Sequence, residues 1–177
     1  MIDLHAHILP GLDDGPATRE ESLAMAQQYV RAGYLVVVAT PHVMAGVYDI
    51  SRAQIRQRVA ELQAALRASG VPLLVVPGAE YELTSDLPAA LRAGRVMTLN
   101  DAGRHLLVEV VDYHPGEPVR RTLRELRAAG VIPVIAHPER SRRGAAALQE
   151  LDAWLADGAL VQVTAGSLTG LFGLAAW

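Results

Sequence analysis

The sequence predicts an α/β fold in which a parallel sheet is covered by helices. Two observations carry this. Short apolar runs recur along the 177 residues and are hydrophobic at successive positions, as in strands buried on both faces. Between them lie segments with apolar residues at three-to-four spacing, closed by glycine, the pattern of amphipathic helices laid on a sheet. Composition agrees: hydrophobic residues make up 51% and charged residues 20%. A chain of this size buries roughly 70% of its unfolded surface and suits one domain.

The first strand is expected over residues 1–5, and helix-type spacing follows over 18–32. LVVVAT at 35–40 is the second strand. The clearest helix is 51–69, with Ser51 as N-cap, Ile55, Val59, Leu62 and Leu66 on one face, and Gly70 just past its end. PLLVVP at 72–77 and LLVEVV at 106–111 are the next strands. A helix at 119–129 turns Val119, Leu123 and Leu126 inward and stops at Gly130. VIPVIA at 131–136, a helix at 145–157 stopped by Gly158, and ALVQV at 159–163 complete the series. Six strands of this kind make either an open sheet or most of a closed barrel. In both, ligands collect at the C-terminal ends of the strands.

Charge and composition exclude several functions. The formal charge of −3 gives no electrostatic basis for nucleic acid or anionic membrane as the main partner. The chain has no cysteine, so disulfides, thiolate metal sites and cysteine nucleophiles are all excluded. No signal-peptide pattern or apolar stretch of about 18 residues occurs, and a cytoplasmic location is the expectation.

The ionisable residues fall into a pattern on this frame. His5 and His7 end the first strand, and Asp13 and Asp14 sit in the loop beyond it. His42 follows the second strand, Glu80 the third, Glu109 lies in the fourth and His137 ends the fifth. An H-x-H pair on a strand sends both imidazoles to one side, where they can share an ion. A carboxylate inside an apolar strand, as at Glu109, needs a partner to offset its desolvation. Five consecutive strands that each end in a ligand-type residue point to a metal site. Imidazole and carboxylate without sulfur suit Mn²⁺, Fe²⁺ or Zn²⁺. Six or seven such ligands exceed the needs of one ion and fit two or three, the arrangement suited to phosphoester hydrolysis.

MIDLHAHILPGLDDGP, ATPHVMAGVY, GAEYELTSDL, LLVEV and PVIAHPER together resemble the PHP (polymerase and histidinol phosphatase) family. Within it they resemble the manganese-dependent protein-tyrosine phosphatases of bacterial capsule and exopolysaccharide operons, the CpsB/YwqE type. The resemblance implies a single PHP phosphatase domain over residues 1–177, folded as a distorted (β/α)7 TIM-like barrel. It implies His5 and His7 on a first ion, Glu80 bridging to a second completed by Glu109 and His137, and Asp14 with His42 on a third. Arg140 matches an arginine that holds the substrate phosphate. Asp14 is further expected to assist catalysis, and the attacking group is a hydroxide bridging the ions. The implied substrate is a phosphotyrosine protein, the C-terminal tail of a bacterial tyrosine kinase.

The family pattern also includes a last strand with an Asp-x-His segment, which nothing after His137 matches. A barrel of about six strands, incomplete at its C-terminus, is therefore expected, with impaired activity or self-association through the open edge. Two alternatives stand beside the phosphatase: a phosphoesterase for a small phosphomonoester such as histidinol phosphate, and a catalytically impaired binding protein. His105 reads as a strand-end residue, His114 as a loop residue near substrate, and Trp154 as packing beneath a helix.

Overall fold

The computed structural model describes residues 1–111, 116–140 and 150–171. Its chain divides into two compact units, Met1–Glu80 with Met97–Gly103, and Tyr81–Val96 with Arg104–Trp177. In the first unit β1 (Ile2–Ala6), β2 (Val36–Ala39) and β4 (Leu74–Pro77) form a parallel sheet in the order β1-β2-β4. Helix α1 (Arg19–Arg31) joins β1 to β2, and α2 (Arg52–Ala68) precedes β4. A two-residue strand β3 (His42–Val43) follows β2, and β5 (Glu80–Glu82) opens at Glu80.

Both long helices begin as their sequences require. The Thr18 hydroxyl accepts from the Glu21 N–H while the Glu21 side chain accepts from the Thr18 N–H, and Ser51 with Gln54 repeats the device. The apolar face expected of α2 is the buried one, through Ile55, Val59, Leu62 and Leu66. Gln63 fastens this helix to β4: its Nε2 donates to Leu73 O and its Oε1 accepts from the Val75 N–H. Full burial of a residue such as Leu62 contributes about 2 kcal/mol.

In the second unit β6 (His105–Glu109), β7 (Ile132–Ala136) and β8 (Leu160–Gln162) run parallel, with Leu107 opposite Val134 and Ile135 opposite Val161. Helices α3 (Leu87–Arg92), α4 (Glu117–Ala128), α5 (Leu151–Ala156) and α6 (Ala165–Leu168) complete it. Val119, Leu123 and Leu126 of α4 are buried as expected. Trp154 is buried on α5, and His105 opens β6.

The α/β class and the parallel pairing hold, and several details change. The described residues hold eight strands, since β3 and β5 are too short to show a period. Helix α3 was not expected either. β6 ends at Glu109, so Glu109 stands at a strand end and not inside a strand. Of the helix expected at 145–157, α5 is described; the earlier part, like His114, lies outside the described residues. Burial on both faces fails for β1, where Ile2 and Leu4 are exposed. Among the described residues β1 is an outer strand of its sheet. No described helix is long and apolar enough to cross a membrane.

Candidate metal centre

Three strand ends of the first unit converge on one carboxylate oxygen. The Glu80 side chain is fully buried, and its Oε2 lies 3.1 Å from His5 Nε2, 3.4 Å from His7 Nε2 and 3.1 Å from His42 Nδ1. His5 Nε2 and His7 Nε2 are 3.2 Å apart. Donor atoms about 2.1 Å from a shared ion, at tetrahedral or octahedral angles, are separated by about 3 to 3.5 Å. His5, His7 and Glu80 meet that spacing, and so would accept one divalent ion.

Local backbone produces this convergence. The β1–β2 register shifts between Asp3 and Ala6, and the His5 N–H in that interval donates to Asp3 Oδ1 at 3.0 Å. Such an irregularity re-aims a side chain at a strand end. Past it, the Ala6 N–H donates to Thr40 Oγ1 at 2.9 Å and the Thr40 N–H to Ala6 O at 2.9 Å, tying the ends of β1 and β2 together. Gly78 lets the segment before Glu80 lie against β2, because a Cβ there would stand 2.7 Å from Val38 Cγ1.

A second group adjoins the first. Asp14 Oδ1 is 3.6 Å from His7 Nδ1 and 3.9 Å from His42 Nε2. His42 thus turns one ring nitrogen to Glu80 and the other to Asp14. Asp14 is 64% exposed at its side chain and forms the open rim of the cluster. Tyr48 stacks on the His42 ring, with centroids 5.9 Å apart and planes 12° apart.

Asp13, named in the sequence without a role, is one residue that sequence reasoning missed. Its side chain has no exposure, and its Oδ2 lies 2.6 Å from His7 Nδ1. The doubled acid in the loop after H-x-H was the available signal. Burial pushes the His7 imidazole down, yet its hydrogen bonds and charge contacts with Asp13 and Glu80 outweigh that and raise its pKa to about 10. Burial pushes Asp13 up, but hydrogen bonds from His7 and from the His42 and Gly15 backbones hold it below the usual carboxylate value. The cluster calls for positive charge at its centre, which a divalent cation satisfies.

In the second unit His137 Nδ1 lies 3.9 Å from Glu109 Oε1. His137 is buried just past β7 with a positive φ of 31°, and its N–H donates to Gln162 O at 2.8 Å. A left-handed non-glycine residue is strained, and such strain clusters at functional sites. The exposed Arg140 follows in the turn Pro138–Arg140, its N–H bonded to His137 O at 2.9 Å. Glu139, unforeseen from the sequence, accepts from the Thr164 N–H at 2.9 Å and from Ser167 Oγ at 2.8 Å. It fixes that turn to the start of α6.

The family model for capsular polysaccharide synthesis, CpsB/CapC, matches residues 1–176. The chain belongs to the CpsB/CapC family. One relative in it is the tyrosine-protein phosphatase YwqE of Bacillus subtilis (strain 168), 37% identical over 173 residues, which span 98% of this chain and 68% of the relative. The tyrosine-protein phosphatase CpsB of Streptococcus pneumoniae is 32% identical over 140 residues, 79% of this chain and 57% of the relative. A crystal structure from work on YwqE and CpsB, described as unique metal-dependent tyrosine phosphatases, superposes with a TM-score of 0.93 at 36% identity. It covers 99% of this chain and 71% of that one.

Proposed function

We propose that this member of the family is a metal-dependent protein-tyrosine phosphatase acting in capsular polysaccharide synthesis. One observation carries the reading: a single buried carboxylate oxygen, Glu80 Oε2, with three imidazole nitrogens 3.1 to 3.4 Å away. His5, His7 and Glu80 hold one divalent ion, Asp14 with His42 hold another, and Glu109 with His137 are the ligand pair of the second unit. Manganese suits this nitrogen and oxygen set. The distorted barrel of the PHP type remains the architecture we favour.

Bound ions of this kind lower the pKa of water toward about 7 and neutralise phosphate charge. The residues themselves do the rest. Arg140 presents a planar fork of donors matched to phosphate oxygens. We assign Asp14, at the exposed rim, to assist the reaction. A tyrosine phenolate, with a pKa near 10, departs without a strong acid beside it. The chain has no cysteine, so no phosphocysteine forms. The substrate is a phosphotyrosine protein, and a tyrosine kinase tail is the partner we favour.

The test is the initial rate on a phosphotyrosine peptide. Exhaustive chelation should abolish turnover, Mn²⁺ should restore it, and Glu80→Gln should lower kcat/KM by about 100-fold or more. Turnover that survives chelation sinks the proposal. Faster hydrolysis of a small alkyl phosphate would move the assignment to a small-molecule phosphoesterase. Metal binding with no turnover of either substrate would favour a binding role.

A further inference from the structure

The two acids of the DDG run stand in opposite environments. Asp14 is largely exposed, whereas the Asp13 side chain is wholly enclosed. Three donors reach the Asp13 carboxylate. Oδ2 takes the His7 ring at 2.6 Å and the His42 backbone N–H at 2.9 Å, and Oδ1 takes the Gly15 N–H at 3.1 Å. One side chain therefore fastens the loop after β1 to the start of β3, and each of those segments carries an imidazole of the cluster.

An ionised carboxylate only accepts, so the His7 nitrogen facing it must carry the proton. In the neutral ring that leaves the lone pair on Nε2. Nε2 is the atom turned toward His5 Nε2 and Glu80 Oε2. Asp13 thereby selects the His7 tautomer that can bind a cation among those atoms. Through the His42 N–H it also holds the backbone from which the His42 ring reaches Glu80. Gly15 makes the arrangement possible, since a Cβ there would lie 2.8 Å from His7 O and 3.0 Å from Asp13 Oδ1.

We infer that Asp13 is a positioning residue that presets His7 and His42 for metal, acting mainly through His7 and binding no ion itself. The inference rests on the reading that His5, His7 and Glu80 hold a divalent ion. A carboxylate behind a ligating histidine typically changes metal affinity by about 10- to 100-fold.

The test titrates Mn²⁺ into the full chain as wild type, Asp13→Ala, Asp13→Asn, His7→Ala and the His7→Ala/Asp13→Ala double variant. Circular dichroism verifies that each is folded. Asp13→Ala should weaken half-saturation by about 10- to 100-fold, and Asp13→Asn, which keeps one acceptor oxygen, should weaken it less. Once His7 is gone, most of the Asp13→Ala effect should disappear. In the metal-free protein, ¹⁵N spectra should show the neutral His7 ring as the Nδ1–H tautomer, and as a mixture of tautomers in Asp13→Asn. If Asp13→Ala does not fold, Asp13→Asn decides. Variants that bind Mn²⁺ like wild type, or an equal loss with and without His7, overturn the inference and leave the metal centre standing. A wild-type chain that binds no Mn²⁺ removes both.

Discussion

Gly15 constrains the candidate centre as closely as the side chains beside it. A methyl group there would press on the His7 carbonyl and on Asp13 Oδ1, the first fixed by the backbone and the second held by the Gly15 N–H. The His7 carbonyl is backbone and cannot swing aside, so the loop itself must shift. Gly15→Ala is expected to lower Mn²⁺ affinity by about 10-fold or more, through displacement of Asp13 from His7, with helix content unchanged. Metal titration beside far-UV circular dichroism checks this, and wild-type affinity in the variant would contradict it. The neighbouring acids show what composition leaves open. Asp13 and Asp14 are chemically identical and adjacent, and which one is buried depends on atoms far along the chain.

Helix α2 illustrates how far local pattern reaches. Its cap at Ser51, its buried stripe from Ile55 to Leu66 and its stop at Gly70 were all legible, because each depends on residues within a turn or two. Its tether was not. Arg52 and Arg56 on this helix both bind Asp101, in a turn where Asp101 itself has a φ of 50°. Burial pushes the Asp101 carboxyl up, but hydrogen bonds from Arg56 and Arg52 outweigh this and hold it below its usual value. A depressed folded-state pKa contributes stability above the unfolded value of 3.8 and loses it as pH falls through the folded value. Asp101→Asn should therefore destabilise the protein by roughly 1 kcal/mol at pH 7. Urea melts should show that gap closing below about pH 4; a gap unchanged at pH 3 would contradict the tether. The strands follow the same rule: β6 and β7 were readable from their apolar runs, and the two-residue β3 was not.

On the proposed function, metal binding and the stability of the whole molecule are coupled. A cation held by the folded cluster and not by the unfolded chain stabilises the native state by about 2.7 kcal/mol at 100 times its Kd. For a chain of this length each kcal/mol moves Tm by about 2–4 °C. Saturating Mn²⁺ should thus raise Tm by roughly 5–10 °C over chelated protein in calorimetry. Glu80→Ala should lose most of that rise, and an equal rise in the variant would place the binding elsewhere.

Apolar periodicity and residue type were enough to read the α/β class, the order of most elements and the placing of imidazoles and carboxylates at strand ends. Each of those features is encoded within a few neighbouring positions. Tertiary structure alone decided that His5, His7 and His42 close on one oxygen of Glu80, and that Asp13 rather than Asp14 is the enclosed acid. Those outcomes depend on pairs 75 and 29 positions apart in the chain. Burial and hydrogen-bond partners at such separations exist only once the strands have paired.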